Sequence, residues 1–383
     1  MLMLDRRMLL RAGSAAVGAA ALAPTTPALA HAPQAGGRAQ PSFYRFKLGA
    51  IEITVVSDGT LAFPAETLWG DRADDARSLL ASNFQPSSPV GLQINTLLVN
   101  TGDKLVLIDA GCGVDKFQKT TGRLLGNLAS AGYAPGDIDL ILFTHCHFDH
   151  LWGISDAKHA SLQFPSAEIV ASEAEVAFWS DPGLPGKVPA KQQPLVTQAN
   201  LKLASPRLRL IKAGAEVAPG VTTLDTGGHT PGHMSVHITS GREEMLLTAD
   251  VVVDSTVSFL HPEWVFGFDL DVPLATKARI AFLDRAAADK TLVGATTYPF
   301  LASGTSCARG AATAGCRQIG SGRPHDQSKV APCFCPETPL RSVRIRSARK
   351  AVNDDTKIRH PGVQRHTLVP APRNEKLPTQ PLR

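Results

Sequence analysis

Charge is scarce in this 383-residue chain: Asp, Glu, Lys and Arg make up 19% of it, against 43% hydrophobic residues. That balance excludes a chain disordered from end to end, which would carry more charge and less apolar surface. A long apolar run is also lacking. The best candidate, Met8–Ala23, is short and rich in Ala and Gly, which excludes a polytopic membrane protein. Only Cys112 and Cys146 precede residue 296, while Cys307, Cys316, Cys333 and Cys335 follow it. A disulfide framework for the body is therefore excluded, and a chain of this size needs none to hold its core. Cys333-Phe334-Cys335 has a metal-ligand spacing, but a lone C-x-C is weak evidence. A basic surplus is absent from residues 1–295, with 24 Lys+Arg against 29 Asp+Glu, whereas residues 296–383 hold 15 against 5. Nucleic acid is excluded as a partner of the whole protein.

What is present begins with an address. Arg6-Arg7 precedes the apolar stretch, and Ala28-Leu29-Ala30 closes it as a cleavage signal. Residues 1–30 thus read as a signal peptide of twin-arginine type, and residues 31–42 as a linker. An ordinary secretory signal and an uncleaved anchor are the alternatives. The expectation is an exported protein, periplasmic or extracellular, with no stable membrane anchor after cleavage.

The body alternates strands and helices. Tyr44–Val56 reads as a hairpin around Gly49 that closes at Asp58-Gly59. Gln93–Val99, Leu105–Ile108, Asp139–Phe143 and Glu168–Ala171 read as strands, as do Val221–Leu224, Met234–Thr239 and Met245–Thr248. Thr120–Ala131 and Ala275–Ala288 have helical spacing, and Ser172 with Glu175 forms a capping box for a helix to Trp179. Pro182–Pro194 reads as a long loop suited to a lid. The pattern predicts an α/β sandwich.

One constellation dominates the chemistry. His145-Cys146-His147-Phe148-Asp149-His150 follows directly from a buried strand. Imidazole and carboxylate are ligands of zinc and similar metals. In an extended segment His145 and His147 point the same way, and after a turn Asp149 and His150 can face a second ion. Burying all four without a metal would leave polar groups unpaired. Cys146 should point to the opposite face. Downstream, His229 in Gly227-Gly228-His229-Thr230-Pro231-Gly232-His233 and Asp250 in Thr248-Ala249-Asp250 each follow a predicted strand. The two glycines before His229 would let the backbone approach an ion. Trp152, Trp179, Trp264, Phe266 and Phe268 are candidates for an aromatic substrate pocket, with core packing as the default for each. No substrate-binding residue is assigned.

HxHxDH, then GHTPGH, then TAD, resembles the metallo-β-lactamase-fold hydrolases over about residues 43–295. His261-Pro262-Glu263-Trp264 through Phe268-Asp269 is most similar to the methyl parathion hydrolase-like branch, with the N-acyl homoserine lactonase-like branch beside it. The resemblance implies an αββα sandwich with a two-metal site at one edge. It implies that His145, His147 and His229 hold the first zinc, that Asp149 and His150 hold the second, and that Asp250 bridges both. It leaves His233 as a supporting residue, and Asp109 in Leu107-Ile108-Asp109-Ala110-Gly111 as support behind the site. Two ions roughly 3.5–4 Å apart can share a hydroxide. That hydroxide would attack a small-molecule ester, lactone, lactam or phosphotriester, with Asp149 as the catalytic proton carrier. The competing expectation is a metal-poor, inactive binding protein of the same fold. Oligomeric state is left open.

The chain departs from the family pattern after Ala275–Ala288. The family supplies a further His there to the second metal, whereas this chain reads Ala295-Thr296-Thr297-Tyr298-Pro299-Phe300, with no His until His325. The resemblance thus implies a weakened second site. Residues 296–383 read as a basic, disordered tail. Taking their codons from the third base permits a His-Leu-Pro-Phe-Pro-Gly run with the His near position 296, so a shifted reading frame accounts for the tail. A lineage-specific tail and a nucleic-acid-binding arm are the alternatives.

Overall fold

The computed structural model describes residues 42–158, 160–184, 198–297 and 304–305. The signal segment, all but the last linker residue, most of the Pro182–Pro194 loop, the four late cysteines, His325 and the tail from 306 lie outside them.

β1 (Phe43–Leu48) and β2 (Ile51–Phe63) form the expected hairpin around Gly49. Asp58-Gly59 does not close it. β2 runs through that pair, with a register shift against β3 (Val90–Asn100) between Ser57 and Gly59. The Asp58 carboxylate is buried there and accepts from the backbone N–H groups of Cys112 (2.9 Å), Gly122 (3.1 Å) and Leu124 (3.0 Å). Asp-Gly favours turns, but a bulge uses the same pair to bury a carboxylate among loop amides. α1 (Ala65–Trp69) and α2 (Ala73–Ser82) fill the β2–β3 connection.

β4 (Leu105–Ile108), α3 (Leu124–Ser130), β5 (Leu140–Leu142), α4 (Phe148–Leu151), β6 (Glu168–Ser172), α5 (Glu173–Trp179), α6 (Gln198–Ala204) and β7 (Leu208–Ile211) follow. The seven strands form one sheet in chain order, parallel from β4 onward. β4 and β5 are buried along their whole length, which is why they appear as unbroken apolar runs rather than alternating ones. The second sheet contains β8 (Glu216–Ala218), β9 (Val221–Asp225), β10 (Met234–Ser240), β11 (Glu243–Leu247), β12 (Leu292–Gly294) and β13 (Gly304–Thr305). Its order is β13-β12-β11-β10-β9-β8. α7 (Val257–Leu260) and α8 (Val272–Asp289) lie between β11 and β12 in sequence.

Four layers result. Ile53, Val99, Ile108 and Leu142 of the first sheet meet Val236, Ile238, Met245 and Leu247 of the second in a shared core. The first sheet's other face packs Leu98, Leu107 and Ile141 against Leu124 and Leu128 of α3 and Trp179 of α5. The second sheet's outer face packs Leu246 and Val293 against Phe282, Leu283 and Ala286 of α8. This is the αββα sandwich that the sequence resemblance implied. The body continues past residue 295: Thr296 O accepts from Asn95 N (2.7 Å) and Thr297 O from Gln93 N (3.2 Å). Among the described residues no helix is long and apolar enough to cross a membrane.

Candidate metal centre

The end of β5 is tied to both sheets before the histidines begin. Thr144 N donates to Asp109 Oδ1 (2.9 Å), and Thr144 O accepts from Met234 N (2.8 Å) at the start of β10. His145 and His147 then project to one side with ring centroids 4.8 Å apart. Cys146 points the other way, into the core under the first sheet. His147 enters α4, whose single turn carries Asp149 and His150.

Four groups converge here: His145, His147, His229 and Asp250 each bring one ligand atom within 4.8 Å of the others. His145 Nε2 and His229 Nε2 each lie 2.9 Å from His147 Nδ1. Neighbouring contacts assign the protons. Thr144 Oγ1 is spent on the Asp109 carboxylate (2.9 Å), so it accepts from His145 Nδ1 (3.2 Å). His229 Nδ1 donates to Asp269 Oδ1 (3.0 Å). Both Nε2 atoms therefore present lone pairs to His147 Nδ1, which has at most one proton to offer. His147 Nε2 has no hydrogen-bond partner. A cation resolves this crowding, because ligand nitrogens at about 2.0–2.1 Å from a tetrahedral zinc lie about 3.3 Å from each other. The residues fit a metal.

A second group, Asp149, His150 and Asp250, shares its last member with the first. His150 Nδ1 donates to Asp109 Oδ2 (2.8 Å), so Nε2 is left facing Asp250 Oδ1 (3.3 Å) and Asp149 Oδ2 (3.6 Å). Neither His150 Nε2 nor Asp250 Oδ1 has a hydrogen-bond partner. Burial opposes charge on His150, yet Asp250, Asp149 and Asp109 push its pKa well above the usual histidine range. Burial, reinforced by neighbouring rings, drives His145 and His147 well below that range. Burial also pushes Asp149 up to about 6, although His150 pulls the other way. Burial works against the Asp250 carboxylate too, but His150 holds its pKa below the usual range.

The profile of the Metallo-beta-lactamase superfamily matches residues 89–295. The chain belongs to this superfamily. An N-acyl homoserine lactonase of Bacillus cereus is 26% identical over 224 residues, which cover 53% of this chain and 81% of the relative. Two solved structures share the architecture at a TM-score of 0.65. AidC, described as a dizinc quorum-quenching lactonase in complex with a product, is 29% identical and covers 70% of this chain and 95% of its own. The hydrolase AbOPH of the beta lactamase superfamily is 30% identical and covers 71% and 95%. The chain is thus a member of a metallo-hydrolase family with lactonase homologues, and it carries a His/Asp cluster able to bind metal.

Around this superfamily cluster, two anchoring groups escaped the sequence reading. Glu175 does not complete a capping box with Ser172, which makes no side-chain cap. Its carboxylate is buried and accepts from Cys146 N (3.0 Å), Trp179 Nε1 (2.7 Å) and Gly232 N (2.9 Å). One side chain thereby joins the first histidine motif to the GHTPGH loop. Burial raises the Glu175 pKa, and those donors offset part of the shift. Gly232 is required at that junction: a Cβ there would lie 2.5 Å from Ser172 Oγ and 2.6 Å from Glu175 N. The second group is Asp269, which orients His229 and in turn accepts from Arg279 Nη2 (2.7 Å). Arg279 sits on the buried stripe of α8 with Ala275, Phe282, Leu283 and Ala286. An arginine on an apolar stripe signals a buried partner.

The remaining expected positions are also placed. His233 contributes no atom to either group. Its Nδ1 donates to Thr226 Oγ1 (2.8 Å) and its Nε2 accepts from Asp250 N (3.0 Å), so it fixes the backbone of Asp250. Burial keeps it neutral, with a pKa lowered to about 3. Ala249, just before Asp250, has φ 47°, a strained value for a residue with a side chain. Gly228 has a different use from the one expected. Rather than bringing backbone to an ion, it lets the loop pass the start of α8, where a Cβ would lie 2.2 Å from Ala275 N.

A cavity opens onto the cluster, lined by His147, Asp149 and Asp250 and by Leu61, Phe63, Leu92, Phe148, Trp179, Phe266, Phe268 and Thr297. Three of the five proposed aromatics therefore line it. Trp152 instead packs on Phe148 (5.3 Å), and Trp264 stacks on His261 (4.1 Å).

Proposed function

We propose that this protein is an exported, zinc-dependent hydrolase of uncharged lactones and related esters, with two metals held beside the apolar cavity. The observation that carries the reading is the convergence of the His145, His147 and His229 nitrogens on Asp250, which also serves Asp149 and His150. His145, His147, His229 and Asp250 would hold one ion, and Asp149, His150 and Asp250 the other. Bound metal supplies Lewis acidity and a water acidic enough to act as a nucleophile near neutral pH. Asp269 and Asp109 orient His229 and His150 through their Nδ1 atoms, as carboxylates do for ligating histidines. Asp149 is 13% exposed and lines the cavity. From that position its carboxylate can take a proton from the attacking water and return it to the leaving oxygen. The apolar walls exclude bulk water from that exchange. The lactonase homologues support a carbonyl over a phosphoryl centre.

The test is a panel of lactone, aryl ester, β-lactam and phosphotriester, assayed on zinc-reconstituted protein. The lactone should have a kcat/KM at least about tenfold above the β-lactam and phosphotriester. A preference for either of those two contradicts the substrate reading.

A further inference from the structure

Among the described residues, all but one of the polar side chains on the cavity wall are already committed. His147, Asp149 and Asp250 belong to the metal groups, and Trp179 Nε1 donates to Glu175 Oε2 (2.7 Å). The exception is Thr297. It is 5% exposed, lines the cavity, and its Oγ1 has no hydrogen-bond partner. A buried hydroxyl left unpaired is costly, and such groups are kept where something else supplies the partner. Its backbone is pinned on the adjoining strand: Thr297 O accepts from Gln93 N (3.2 Å) and Thr296 O from Asn95 N (2.7 Å). Those bonds join the end of the second sheet to β3 of the first and hold Thr297 at the cavity wall. No Lys or Arg lines the cavity among the described residues, so the wall offers no partner for an anionic arm.

We infer that Thr297 is a substrate-positioning residue whose Oγ1 donates a hydrogen bond to a carbonyl oxygen of an uncharged ester or lactone lying along the apolar wall. The inference rests on the hydrolase reading of the same site. Few wall groups discriminate as sharply as a buried hydrogen-bonding group, because an analogue that cannot pair with it leaves it unsatisfied.

The experiment uses zinc-loaded full chain as wild type, Thr297→Val and Thr297→Ser. Binding of N-cyclopentylhexanamide, an unreactive ligand with one carbonyl, is followed by tryptophan fluorescence, since Trp179 is on the wall. Turnover of a lactone bearing a hexanoylamino arm is measured beside γ-decalactone. Thr297→Val should raise the Kd of the amide and the KM of the arm-bearing lactone about three- to tenfold, as expected for one neutral hydrogen bond. kcat and melting temperature should hardly change, and Thr297→Ser should restore both constants. A matching rise for γ-decalactone places the contact on the ring carbonyl, and its absence places the contact on the arm; either result supports the inference. If the amide binds through Thr297 but no lactone or ester is turned over, the hydrogen bond from Thr297 to a carbonyl stands, while the hydrolase reading falls. If lactones are turned over and neither constant moves in Thr297→Val, the inference is overturned while the hydrolase reading stands. Failure of the wild type to bind the amide, together with lactone KM values unchanged in Thr297→Val, overturns it as well.

Discussion

The pKa directions of His145, His147 and His150 separate the two His/Asp groups. A proton competes with a metal for the same nitrogen, so a lowered pKa delays that competition to more acid solution and a raised one advances it. His145 and His147 are lowered, whereas His150 is raised and its neighbour Asp149 is also raised. Acidification from neutral pH should therefore empty the Asp149–His150–Asp250 group first. Metal release followed against pH with a chromogenic chelator checks this, and release from both groups at one pH would contradict it. At this scale HxHxDH was legible because four ligand-type side chains in six residues have few other uses. Asp269 and Arg279 were not, because each is an ordinary residue in its own segment. They become a pair only when α8 brings Arg279 against the loop that holds Asp269.

Among the elements, β1 to β6 and β9 to β11 were the most legible, and Leu105–Ile108 and Leu140–Leu142 stood out because they are apolar on both faces. The short strands β7, β8, β12 and β13 were not read. α1 and α2 were missed because the buried positions of α2 are Ala73, Ala76 and Leu80, and alanine gives a faint stripe. Asp58-Gly59 and Ser172–Glu175 were misread for one shared reason. Local turn and cap chemistry describes what a carboxylate does when it stays near its own segment, whereas Asp58 and Glu175 reach distant amides. Glu175 gives the sharper test. Glu175→Gln replaces one carboxylate oxygen by an amide donor facing N–H groups from α5 and two loops, so it should destabilise the protein by about 1–3 kcal/mol. It should also weaken metal binding, since Cys146 and Gly232 lie within the two histidine motifs. Urea melts of the metal-free variant and wild type measure the first effect. A stability within error of wild type would mean that those donors are satisfied elsewhere.

Across the whole molecule, the sandwich brings together residues from Asp109 to Asp250 at one edge of two sheets, and the central claim concerns what that edge binds. The composition break near residue 296 was legible, but its placement as a clean boundary was not. Thr296 and Thr297 are held by backbone bonds to β3, and such pairing leaves no mark on composition. Asp250 is the one residue common to both groups, so the account depends most heavily on it. The measurement is zinc content per chain after reconstitution and desalting, by atomic emission, for wild type and Asp250→Ala, with circular dichroism to show that the variant is folded. The account predicts about two zinc ions in the wild type, and in the folded variant loss of the second ion with marked weakening of the first. Wild-type protein that retains no zinc, or an Asp250→Ala variant that keeps both ions, would contradict it.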